Sequence, residues 1–114
     1  MAREAAERFV QAWERGDYRA MYALLSSAAR ERIDERSFVT RYEGIAEEMG
    51  QQAIRITLGE PLPGTLRFPI HVVRETSRVG RLEEDNAIPV VREGDGYWVD
   101  WTPSLIVADL GDGR

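Results

Sequence analysis

The strongest constraint in this chain is a change of hydrophobic period at Gly50. Before it, apolar residues recur at intervals of three and four; after it, they alternate. Ala6, Phe9, Val10 and Trp13 form the stripe of a helix with one buried face, and Gly16 ends it. Asp17 is placed to cap a second helix by accepting a bond from a free backbone amide. Met21, Leu24, Leu25 and Ala28 repeat the same period. A polar turn around residues 30–35 comes next. Phe38, Tyr42, Ile45, Ala46 and Met49 then make a third stripe, which stops at Gly50.

Beyond Gly50 the pattern is that of strands. Ile54, Ile56 and Leu58 alternate with polar residues until Pro61-Leu62-Pro63-Gly64 breaks the chain. Leu66, Phe68, Ile70 and Val72 alternate next, as do Ile88 and Val90. Val79-Gly80 reads as the hairpin corner between those runs. Gly94-Asp95-Gly96 is a further turn, delivering the chain into Tyr97 to Trp101. Pro69 and Pro89 cannot donate to a ladder, so each marks an edge, a bulge or a bend. Long antiparallel strands must twist and curl to cover helices. The layout predicted is α+β: three N-terminal helices over about residues 3–50, packed on a curled antiparallel sheet over about 53–110. At 114 residues a single domain, 1–114, is expected, burying roughly two-thirds of its unfolded surface.

Missing residue types narrow the chemistry. There is no Cys, which removes disulfides, thiolate catalysis and Cys-ligated metals. There is no Lys either; all 15 basic residues are Arg, so Schiff-base chemistry and a phosphate-loop lysine are absent. The net charge of −5 argues against nucleic acid as a partner. No apolar run approaches the roughly 20 residues of a membrane span. No cofactor is expected.

The tail is the most specific string. Tyr97-Trp98-Val99-Asp100-Trp101-Thr102-Pro103-Ser104-Leu105-Ile106, preceded by Ile88-Pro89-Val90-Val91, resembles the end of the N-terminal domain of class B penicillin-binding proteins. That domain has the nuclear-transport-factor-two-like (NTF2-like) fold and is also known from the methicillin-resistance transpeptidase. Trp13-x-x-Gly16-Asp17 and the helix after it are similar to the bent helical hairpin of NTF2-like proteins. One departure is visible: family members often have Pro after the Leu-Ile stretch, where this chain has Val107-Ala108-Asp109. The resemblance implies a cone-shaped fold and a non-catalytic module of a membrane-anchored, extracytoplasmic peptidoglycan transpeptidase. Its partners would be the transpeptidase domain of its own parent chain and cell-wall proteins. Without Lys, the Ser-x-x-Lys and Lys-Thr-Gly elements of transpeptidases cannot occur here; Ser27-Ala28-Ala29-Arg30 substitutes a guanidinium that cannot be deprotonated. Met1 at the start of a helix, with no anchor before it and no transpeptidase after it, reads as an excised segment.

Cone folds also host isomerases, dehydratases and cyclases, so candidate sites need weighing. His71 is the only histidine, and alternation puts Val73 and Glu75 on its face. His71 with Glu75 is a candidate oriented base, set against an ordinary charged sheet surface that would include Arg74 and Arg78. Asp100 shares a strand face with Trp98, opposite Val99 and Trp101, and is a second pocket candidate beside an indole. Against that, Asp100 near a strand end can simply face water or an Arg. Glu43, Glu47 and Glu48 read as a solvated helix face, and Ser37 as a cap or turn residue.

Because Trp98 and Trp101 face opposite ways, one is expected in the core. The other then needs a cover, from Leu105, Ile106 and Leu110, from a second copy or from a neighbouring domain. Pro103 turns the chain, and residues 105–110 then cross the domain or pair as a last strand. Trp98, Trp101, Pro103, Leu105, Ile106 and Leu110 are thus the fold-signature or domain-interface residues. The competing readings are a free-standing small-molecule-binding protein or lyase/isomerase-like enzyme of this fold, and an engineered scaffold. A hollow cone with an acid or His at its base favours the enzyme, and a filled cone favours the spacer.

Overall fold

The computed structural model describes residues 1–106. Helices α1 (Ala2–Arg15), α2 (Tyr18–Ala23), α3 (Ser27–Arg32) and α4 (Glu35–Met49) come first. Strands β1 (Gln51–Leu58), β2 (Arg67–Thr76), β3 (Gly80–Glu93) and β4 (Gly96–Val99) come after them, and a 3-10 turn, Pro103–Leu105, closes the described chain. The strands pair in sequence order, each pair antiparallel, as a curled half-barrel. The predicted α+β layout is therefore present. Residues 107–114, including Leu110, lie outside the described residues.

The helical half differs from its prediction in one respect: there are four helices, because the second stripe is cut at residues 24–26. The cause is long-range. Val99 N–H donates to the Leu24 carbonyl and Ser26 N–H to the Val99 carbonyl, both at 2.8 Å, so residues 24–26 cover the outer edge of β4 as a parallel bridge. Fully buried Leu25 sits in that bridge. The next helix starts at once, because the Ser26 hydroxyl accepts from Ala29 N–H at 3.2 Å. The region expected as a polar turn is thus partly α3.

Side chains also cap α2 and α4. Asp17 accepts from Ala20 N–H at 3.2 Å, and Asp34 from Ser37 N–H at 2.8 Å. That backbone bond from Ser37 holds the Asp34 carboxyl below its ordinary value. Ser37 is thus the donor in the first turn, and Asp34 is the cap. Gly50 ends α4 with φ 68°. That conformation favours glycine, and a Cβ there would have to displace the Ser77 hydroxyl.

Both strand prolines sit where no donor is needed. The N–H and C=O of one extended residue point to the same neighbour. The Pro69 carbonyl accepts from Gly59 N–H at 2.8 Å, so its nitrogen faces the space beyond the end of β1. Pro89 lies where β3 changes partner: Arg67 pairs with Pro89 on one side of it, and Val90 with Val99 on the other. It is a hand-over point between the two hairpins.

The inner sheet face presents Ile56, Phe68, Ile70, Val72, Ile88, Val90 and Val99 to the helices, all buried. Phe9, Trp13, Met21 and Phe38 meet them from the helical layer. At about 1.5–3 kcal/mol for each large side chain buried, this shared core is the principal source of stability.

Candidate functional site

Strand alternation carries through the tail. Val99 and Trp101 are buried, at 0% and 1% exposure, while Trp98 and Asp100 on the other face are half-buried. Trp101 fills the base of the cone. Its ring centroid lies 5.1 Å from Phe38 and 6.5 Å from Tyr42, and its indole Nε1–H donates to the Tyr42 hydroxyl at 3.0 Å. Tyr42 in turn contacts Trp13 and stacks on Tyr18. Burial pushes the Tyr42 hydroxyl far above its ordinary range, against the opposing pull of the Trp101 hydrogen bond. It is not an acid near neutral pH.

Next to this aromatic group is a charged pair, one member of which, Arg74, was expected on a charged sheet surface. Arg74 and Glu84 have side chains only 2% and 3% exposed and bond to each other through Arg74 Nη1 and Glu84 Oε1. Arg74 Nη2 donates to the Ile106 carbonyl at 2.8 Å, while its Nε has no hydrogen-bond partner among the described residues. Arg74 is therefore an interior residue. The signal was in the sequence: it continues the inward series Phe68, Ile70, Val72. Only its charge argued otherwise.

Leu105 and Ile106 are buried at 1% and 3% and join the core beside Trp101, so they do not cover Trp98. Trp98 instead meets the Arg30 guanidinium, 5.8 Å from its ring centroid, and lines a groove of about 340 Å³ with Glu4, Arg8, Leu24 and Tyr97. Asp100 accepts from the Ser26 hydroxyl at 2.9 Å and lies 3.5 Å from Arg32 Nη2. It ties the tail to the start of α3 and faces an arginine.

His71 lies on the outer sheet face, away from the cone interior and from Asp100. Its ring nitrogens contact Asp85 (Nδ1, 2.8 Å) and Glu83 (Nε2, 2.9 Å), both on β3. Glu75 is not its partner; that carboxylate accepts from Arg81 at 2.9 Å. An imidazole with a carboxylate on each nitrogen is best satisfied as a double donor. The Asp85 bond first, then that of Glu83, raises the His71 pKa above 6.5. The stabilisation is present below the unfolded value of 6.5 and is lost as pH rises through the higher folded value. Ring-proton titration by NMR is expected to give a midpoint above 6.5, falling towards it in Asp85→Asn; an unmoved midpoint would refute this pairing.

A groove of about 740 Å³ runs between α4 and the segment from Pro103 to Ile106, with Thr40, Arg41, Ile45, Glu48 and Arg78 among its lining residues. Its charges are mixed and its mouth is wide, with no converging acid–base set. Among the described residues, no group of three or more His, Asp or Glu could hold a metal ion. No helix there is long and apolar enough to cross a membrane.

Known proteins resemble this chain in sequence. The family model of the NTF2-like N-terminal transpeptidase domain matches residues 1–114. Penicillin-binding protein 3 of Bacillus subtilis (strain 168) is 26% identical over 117 residues, covering 95% of this chain and 18% of that protein. The chain thus spans less than a fifth of the length of this relative. The filled cone and the Trp-Val-Asp-Trp tail that closes it are features of a chain that belongs to the NTF2-like N-terminal transpeptidase domain family.

Proposed function

We propose that this domain makes and breaks no bonds itself and serves as the spacing and docking module of a longer peptidoglycan transpeptidase. The observation that carries this reading is the occupied base of the cone. Catalysis in such a fold needs an acid or base aimed into a cavity that admits substrate. At that position Trp101, Phe38 and Tyr42 touch one another, and Arg74 and Glu84 are engaged with each other. The single histidine lies on the opposite sheet face. The free-standing binder or isomerase reading requires space where these side chains are.

Family membership supports an extracytoplasmic setting, with a membrane-anchored parent and a transpeptidase domain as the immediate partner. Cell-wall proteins are the further partners this reading allows. A fluorescent penicillin incubated with the chain is expected to leave no covalent label and no added mass. An acylated serine would overturn the non-catalytic assignment. The parent reading frame is expected to continue beyond Arg114 into Ser-x-x-Lys, Ser-x-Asn and Lys-x-Gly motifs, and a stop codon directly after Arg114 would sink the spacer reading.

A further inference from the structure

The segment from Trp101 to Ile106 leaves the sheet, and a segment that leaves a ladder ordinarily gives its carbonyls to water and moves freely. Here they are captured by the body of the domain. Arg32 Nη2 of α3 donates to the Trp101 carbonyl, Asn86 Nδ2 of β3 to that of Ser104, and Arg74 Nη2 of β2 to that of Ile106, each at 2.8 Å. Two of the remaining carbonyls are used within the segment, by Leu105 N–H to Thr102 at 2.9 Å and Ile106 N–H to Pro103 at 3.0 Å. Leu105 and Ile106 are also buried, and Pro103 fixes a backbone angle at the start of the turn.

We propose that residues 101–106 are a rigid joint, clamped by Arg32, Asn86 and Arg74, that fixes the path of the chain up to Ile106. The three clamps come from three separate elements. The segment cannot swing without breaking bonds to a helix and two strands together. Arg74 contributes most, since its bond is buried and its other arm is anchored on Glu84. Arg32 and Asn86 act through less enclosed bonds, part-buried for Arg32 and exposed for Asn86. Arg32 also neighbours Asp100, which holds Ser26, so the start of α3 is tied to the same joint. The proposal rests on the spacer reading for its purpose: a spacer orients the next domain only if its exit is stiff. The positioning residues are Arg32, Arg74 and Asn86, and none of them belongs to a reaction centre.

Amide hydrogen exchange on this chain tests the joint directly. The Leu105 and Ile106 amides are expected to exchange at least about 100-fold more slowly than in an unstructured peptide. The double variant Arg32→Ala/Asn86→Ala should raise their rates about tenfold or more while β2–β3 ladder amides change by less than about twofold. Arg32→Lys with Asn86 intact should keep most of the protection, because a cationic donor remains. Arg32 is exposed and Asn86 is half-buried with an exposed bond to Ser104, so the double variant is expected to fold. Unprotected Leu105 and Ile106 amides in the unmodified chain would overturn the proposal, as would a double variant that leaves them unchanged. So would a uniform rise across the sheet, which would mean global destabilisation. This outcome is separable from the spacer reading. Penicillin acylation would end that reading and leave the exchange result standing, whereas loose exit amides without acylation would make the spacer a flexible tether.

Discussion

Replacing Arg74 with methionine is expected to destabilise the domain by about 3–5 kcal/mol, the range for breaking a buried ion pair from one side. The loss has two sources. Glu84, 3% exposed, keeps its burial but loses the guanidinium, and the Ile106 carbonyl loses its donor. Removing both charges should cost less than removing one. In Arg74→Met/Glu84→Leu the buried carboxylate is gone together with its cation, and the freed Ile106 carbonyl, at about 1–3 kcal/mol, is one part of the remaining cost. Urea unfolding of the two single variants and the double variant forms a cycle in which the double is more stable than Arg74→Met. If the double falls below that single variant, the pair is not the electrostatic unit described here.

Trp101→Ala should have an effect of similar size, about 3–5 kcal/mol, by a different route. The indole is 1% exposed and contacts Phe38 and Tyr42, so truncation opens a cavity at the base of the cone. It also removes the hydrogen bond received by the Tyr42 hydroxyl. Trp101→Phe retains most of the ring packing and loses the N–H, so about 1–2 kcal/mol is expected. Against a total of about 5–15 kcal/mol for a domain of this kind, the alanine variant approaches the limit of folding. The contrasting position is Trp98, whose ring is half-buried against Arg30. Trp98→Ala should cost clearly less than Trp101→Ala in the same unfolding experiment. Equal losses would mean that the two faces of the tail are equally enclosed.

The asymmetry between the tryptophans was legible in the sequence, because a period of two is rigid over Trp98 to Trp101. The α+β order was legible for the same reason, since the change of period at Gly50 is unambiguous. Other features depended on pairings that one strand does not reveal. The partners of His71 lie on β3, and they emerge only from the register that sets His71 opposite Asp85. The break between α2 and α3 is imposed by Val99, more than seventy residues later, so the helical stripe through Leu24 and Leu25 gave no sign of it. Arg74 failed differently. Its position in the alternation was correct, but a charged residue was weighted as surface, and the partner that makes its burial tolerable stands on another strand.

The placement of Trp101 also gives the domain an order in time. Tyr42 is synthesised 59 residues before the indole that covers it. At about 5–20 residues per second, helix α4 waits roughly 3–12 s with its aromatic face open. The last clamp, at Ile106, forms later still. A nascent chain therefore keeps the base of its cone open until residues 101–106 emerge, and the helical layer and the tail close on each other only then.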